Sequence, residues 1–154
     1  MTYEFGAKEI VKDSGYISRQ CCGSTEIELG TVYAAEMGIT LLSDIDRYTL
    51  EDAQVTLVFH LVLADGSVED VPMGVFEVSE ANRLAKCLEL KAYDFMLRFD
   101  KSFNGFETVG TAYDFIALCC KMCRVEFAHK RAEIDAMPNG GVTLSVYTEN
   151  DIET

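Results

Sequence analysis

The sequence predicts an α+β fold that is mainly β, an antiparallel sheet with two or so packed helices. Three observations point there. Several segments alternate apolar and polar residues at a period of two, the signature of half-buried strands. An Asp-Gly pair, Asp65-Gly66, joins two such segments as a tight hairpin turn would. One later segment, residues 111–124, changes to helical spacing behind a good N-cap.

Taken in order, "GYISRQCC" alternates briefly, with Tyr16 and Ser18 on one side and Ile17 and Arg19 on the other. "STEIELG" places Ile27 and Leu29 opposite the acids at 26 and 28. In "TVYAAEMGITLL" the composition favours helix, yet Tyr33, Ala35, Met37, Ile39 and Leu41 fall at a period of two, and Gly38 would weaken a helix. This segment is predicted to be a strand, with Gly38 as a candidate bulge. "LSDIDRYTLEDAQ" is polar and reads as a connection.

The clearest signal follows. Val55, Leu57, Phe59, Leu61 and Leu63 share one strand face, and Thr56, Val58, His60 and Val62 the other. The expected hairpin pairs residues 54–64 with 70–79. Pro72 cannot donate a ladder bond and belongs near a strand start or at an edge. After a polar break, "KCLELKA" is a strand with Leu88 and Leu90 inward. A first helix is expected near 93–100, with Tyr93, Met96 and Leu97 on one side. The second runs from the N-cap Thr111, with Asp114 completing a near capping box and Ala112, Phe115, Ile116, Cys119 and Cys123 as its apolar stripe. Lys121 and Arg124 stand where the helix dipole favours cations. "VEFAHK" is expected as a short strand, and "MPNGGVTLSVY" as a turn into a last one.

The 154 residues suit a single structural domain spanning 1–154. With 13 Lys plus Arg against 26 Asp plus Glu, the net charge is −13, a poor match to nucleic-acid phosphates or anionic membranes. The first residues lack the basic-then-apolar layout of a signal peptide. The longest uncharged apolar run, Val55 to Ala64, falls short of the roughly 20 residues a membrane helix needs. The chain is therefore expected to be made in the cytoplasm.

Candidate chemistry is sparse. Six cysteines occur, at 21, 22, 87, 119, 120 and 123. Cys120 and Cys123 form one Cys-x-x-Cys pair, whereas a closed zinc site uses four ligands. Core thiols explain them better than a metal. His60 lies inside an apolar strand and His129 follows a short one, and neither pairs with a Ser or Cys nucleophile by any motif. "ADGSVED" lacks the spacing of a calcium loop and "MPNGG" lacks the lysine and helix of a P-loop. No residue is assigned as catalytic, cofactor-binding or metal-ligating, and no cofactor is expected.

Two stretches carry a family resemblance. Pro72-Met73-Gly74-Val75-Phe76-Glu77-Val78 resembles a "plGxfxV" strand, and Ala92-Tyr93-Asp94 through Asp100 resembles an "AYDxmxxLd" strand-to-helix start. "IELGTVYAAEMGITLL" and "TAYDFIALCCKMCRVEF" resemble the strands before and the helix after them in the same family. These are the hub or tail-associated proteins at the tip of bacteriophage and prophage tails, including the prophage endopeptidase tail proteins. The resemblance implies a tail-tube-like β-barrel or curled sheet with helices outside it. It implies a baseplate hub, usually a homo-trimer, whose paired tube-like domains ring a lumen for DNA and tape-measure protein. The implied location is the virion tail tip, and the implied neighbours are distal tail protein, tail tube, tape measure and receptor-binding protein. Lytic activity in that family lies in domains further along, so no catalytic residue carries across and no enzyme is expected here. The end of the chain fits this reading. Thr148 and Asp151 announce a capped helix, so residues 148–154 are expected to begin a further segment. Two other classes stand beside it: a small β-rich module docking a peptide or sugar, and a cysteine- or metal-dependent enzyme built on Cys119 to Cys123.

Overall fold

In the computed structural model, residues 1–20, 33–102 and 108–146 are described. The chain divides into two compact units, Met1–Leu97 and Arg98–Thr154. The fold is mainly β, with a curled antiparallel five-stranded sheet, a half-barrel, and two α-helices.

The half-barrel occupies the first unit. Its strands are β1 (Tyr16–Ser18), β2 (Glu36–Leu42), β3 (Gln54–Val62), β4 (Val68–Leu84) and β5 (Cys87–Tyr93), in the order β1-β2-β5-β4-β3. The period-two pattern of the sequence sets which face is buried. Met37, Ile39 and Leu41 of β2 meet Ala92, Leu90 and Leu88 of β5 in register, and all six are buried. Phe76 and Val78 of β4 complete this core, and Phe5, Ile10, Ile45 and Leu50 pack against it.

Two expectations are corrected, one on β4 and one on β2. The polar break after residue 79 is strand: β4 runs on to Leu84 as one strand of 17 residues. A bulge at Ser79 resets the alternation, so Ala81 returns to the core side and Glu80 and Asn82 face out. Arg83 turns inward, and its guanidinium donates to the carbonyls of Ser43 (2.8 Å) and Ile45. That bonding tethers the connection holding the 3₁₀ helix Arg47–Leu50. Nor is Gly38 a bulge, because it pairs in continuous register with Tyr16 on one side and Lys91 on the other.

The hairpin between β3 and β4 forms as the Asp-Gly signal predicts, with a three-residue loop. Gly66 donates to the Leu63 carbonyl (2.9 Å), Leu63 donates to that of Ser67 (2.8 Å), and Gly66 sits at φ 84°. Pro72 lies opposite Val58, beside a second bulge between Leu57 and Val58 that leaves Met73 unpaired. That stretch of β4 precedes the first β5 pairing at Glu77, so Pro72 faces a free edge.

The expected helix at 93–100 is a 3₁₀ helix, Phe95–Phe99, because Tyr93 still belongs to β5 and Asp94 still donates to the Ala35 carbonyl (2.9 Å).

The second unit holds β6 (Thr108–Gly110) paired with β7 (Leu144–Val146), and the helices α1 (Ala112–Met122) and α2 (Arg131–Asp135). At the α1 N-terminus the Thr111 N–H donates to Asp114 Oδ2 (2.8 Å), and the Thr111 hydroxyl reaches the same oxygen (3.1 Å). The buried face of α1 differs from the expected stripe: Cys120 and Cys123 are buried and Ile116 is exposed. The helix closes with Arg124 at φ 55°, and Val125 donates to Cys120 (2.9 Å) while Arg124 donates to Lys121 (3.2 Å). This closure turns "VEFAHK" away from strand geometry. Phe127 instead sets its ring 5.7 Å from both Tyr113 and His129. The short α2 was not expected from the sequence. The segment 143–146 enters a strand as predicted, whereas residues 21–32 and the helix start at 148–154 lie outside the described residues.

Candidate functional site

The half-barrel has one apolar face and one polar face, and the polar face carries the most organised side chains. Residues one step out of phase with the core project there: Tyr16 from β1, Glu36 from β2, Glu80 and Asn82 from β4, and Glu89, Lys91 and Tyr93 from β5. Glu36 is the centre of a three-strand cluster. The Tyr16 hydroxyl donates to Glu36 Oε1 (2.6 Å), and Lys91 Nζ lies 3.1 Å from Glu36 Oε2. Lys91 also lies 5.3 Å from the Tyr93 ring centroid. Gly38 makes room for this, because a Cβ there would stand 2.3 Å from the Tyr16 ring. Beside the cluster is an open cleft of about 260 Å³, walled by Tyr16, Thr40, Asn82 and Glu89.

Each group in the cluster is held in its resting form. Tyr16 and Lys91 draw Glu36 below the usual carboxylate range. The Glu36 carboxylate raises the Tyr16 phenol, and Tyr93 with Glu36 raises the Lys91 ammonium. A nucleophilic lysine or a phenolate base requires the opposite shifts. The chemistry of the cluster is therefore that of a strand-to-strand clasp and a polar surface.

The hairpin tip is the second feature. The tip lies past the core, and apolar side chains stand exposed on both of its faces: Phe59 and Leu61 on one, Val58, Val62 and Val68 on the other. Phe59 is 55% exposed, Val62 68% and Val68 59%, far above a packed strand. His60 and Asp70 are opposite each other in register and meet at 2.5 Å on the exposed surface. Arg19 donates to the Met73 carbonyl at the base of the tip.

The residues weighed as chemical candidates do not converge. His60 sits on the tip and His129 lies in the other unit, 3.3 Å from Glu133. Cys120 and Cys123 are buried near the α1 C-terminus, Cys119 is half-buried, and Cys87 is on β5. Burial raises the Cys120 thiol, as do neighbouring Cys119 and Cys123, which disfavours the thiolate that metal binding or attack requires. Among the described residues no group of three or more His, Cys, Asp or Glu is placed to hold a metal ion. Among them, too, no helix is long and apolar enough to cross a membrane. Cys21 and Cys22 lie outside the described residues. The Tyr16–Glu36–Lys91 cluster escaped sequence reasoning; period-two phase places each residue on a polar face, but only strand order joins the three.

Compared with protein-family models, curated proteins and solved structures, the chain matches none of them.

Proposed function

We propose that this chain is a structural component of a phage or prophage tail tip, part of a baseplate hub ring through which DNA and tape-measure protein pass. The observation that carries this reading is the two-faced half-barrel. One face is a packed apolar core, and the other is an ordered polar surface richer in acids than bases, with Glu36, Glu77, Glu80 and Glu89 around the single ammonium of Lys91. A curled sheet with such a face is suited to line a channel. Its negative potential repels the DNA backbone and keeps a passing polyanion from sticking. The resting-form ionisation of Glu36 and Lys91 supports a lining that keeps its charge at neutral pH.

In this reading the partners are the distal tail protein, the tail tube, the tape measure and the receptor-binding protein, and the full hub is a homo-trimer at the virion tail tip. The chain has no catalytic task and takes no cofactor. The test is direct. Antibody raised against the 154-residue chain is applied to intact particles induced from the host and viewed by negative-stain microscopy. Label at the tail tip is the expected result. Label on the capsid, or none on particles whose protein content includes the chain, overturns the proposal.

A further inference from the structure

We propose that the outer edge of β3 is a docking site for one extended segment of a partner protein, a strand apolar along its middle and basic at both ends. The inference goes beyond the hub reading and stands or falls independently of it.

The sheet treats its edges differently. An open strand edge offers unpaired N–H and C=O groups, and proteins usually block it with proline, lysine or a bulge. The free edge of β4 above Glu77 is blocked in this way. Pro72 has no N–H, Gly74 sits in the bulge at φ 130°, and Arg19 occupies the Met73 carbonyl. The edge of β2 beyond β1 is covered by the N-terminal segment, with Val11 donating to Thr40 (2.9 Å) and Leu42 donating to Glu9 (2.7 Å). β3 is different. Over nine residues it contains no proline, lysine, arginine or carboxylate, and among the described residues it pairs with β4 alone.

The unpaired groups can be named. Leu63 donates to Ser67 across the hairpin. Alternation along an antiparallel ladder then turns Leu61 and Phe59 toward β4 and leaves Val62, His60, Val58 and Thr56 facing outward. Pro72 opposite Val58 agrees with this phase, since that pair exchanges no bonds. An added strand would meet these outward groups, and its alternate side chains would cover Phe59 and Leu61, which are exposed now.

Charge selects the occupant. The neutral strand is bracketed by acids. Asp65, Glu69 and Asp70 lie at the turn end, and at the other Asp44, Asp46, Glu51 and Asp52 outnumber the two bases Arg47 and Arg83. A second copy of this chain would bring acids against acids in either strand direction. A strand with lysine or arginine at both ends meets opposite charge twice.

The experiment uses the whole 154-residue chain and a fluorescein-labelled peptide of alternating threonine and valine with two lysines at each end. The control peptide carries glutamates at the ends. Fluorescence anisotropy reads affinity, and hydrogen exchange reads the β3 amides. The lysine-ended peptide is expected to bind at least about tenfold more tightly than the control, with affinity falling as salt rises. Exchange should slow at Val58 and His60. Thr56→Lys, at an exposed edge position, should weaken binding about tenfold with an unchanged circular dichroism spectrum. The pair Glu51→Gln and Glu69→Gln should weaken it about threefold without touching the edge. Equal affinity for the two peptides, unchanged exchange on β3, or binding of neither peptide overturns the proposal. So does concentration-dependent dimerisation that Thr56→Lys abolishes, which would make a second copy the occupant.

Discussion

Replacing Gly140 by alanine should cost about 2–4 kcal/mol. A Cβ at position 140 would stand 2.0 Å from the Ile134 carbonyl oxygen, 3.0 Å from its carbon and 3.1 Å from Asp135 Cα. Non-bonded heavy atoms rest at about 3.5 Å, so the turn must open by roughly 1.5 Å. Every obstructing atom is backbone, and none can swing aside. The Ile134 oxygen also accepts the Met137 N–H at 3.0 Å, and Ile134 is one of the few buried side chains among the described residues of its unit. Opening the turn therefore adds a lost hydrogen bond, about 1 kcal/mol, to an overpacking cost of about 1–3 kcal/mol. Three other glycines calibrate the figure. At Gly66 there is open space but φ is 84°, so alanine should cost about 1 kcal/mol. At Gly38 the obstacle is the movable Tyr16 ring, and the cost should be about 1 kcal/mol or less, mainly its bond to Glu36. At Gly141 nothing lies within 4 Å, and alanine should be neutral or stabilise by up to about 1 kcal/mol. Urea unfolding followed by circular dichroism ranks the four, provided the slopes agree. A Gly140→Ala variant within about 0.5 kcal/mol of the parent would refute the reasoning.

Acid stability should depend on Asp114. Arg131, with the Thr111 N–H, holds its carboxyl at about 2, below the ordinary 3.8. A depressed carboxyl contributes its full stabilisation above the ordinary value and loses it as pH falls through the folded one. The contribution should fade between about pH 4 and 2, and Asp114→Asn should flatten that part of a stability-versus-pH curve. Core packing gives a second contrast: Leu88→Ala, at 0% exposure, should cost about 2–5 kcal/mol. Leu84→Ala, 67% exposed four residues earlier in the same hairpin, should stay within about 0.5 kcal/mol, as chemical denaturation would show.

Much of the fold was legible because local chemistry and global position agree. Met37, Ile39 and Leu41 alternate because one sheet face is buried, and Asp65-Gly66 turns where Gly66 takes a positive φ. Thr111 and Asp114 announce α1 through bonds they do form. The misses have physical causes. Bulges change the phase of alternation without a mark in composition, so the run Glu80 to Arg83 looked like a break when it was strand. The burial of α1 is set by its neighbours, and Ile116 lost its place to Cys120. The polar-face cluster depends on β1, β2 and β5 lying side by side, which no local pattern encodes. The apolar alternation of β3 was plain, but not that its outer half would run beyond the core.

The length of β4 has a consequence for the order of assembly. One strand serves two hairpins: its first half pairs with β3 across the turn at Gly66, and its second half with β5 across Ala85 and Lys86. Both are closures between chain neighbours, with small loop entropy, so the three-stranded meander is the cheap nucleus. β2, with β1 on its far side, should join after it, since pairing Glu36 with Tyr93 closes a far longer loop. Yet β2 brings Met37, among the most deeply buried side chains. Met37 should thus arrive after the rate of folding is set, and substitutions there should act chiefly on the rate of unfolding.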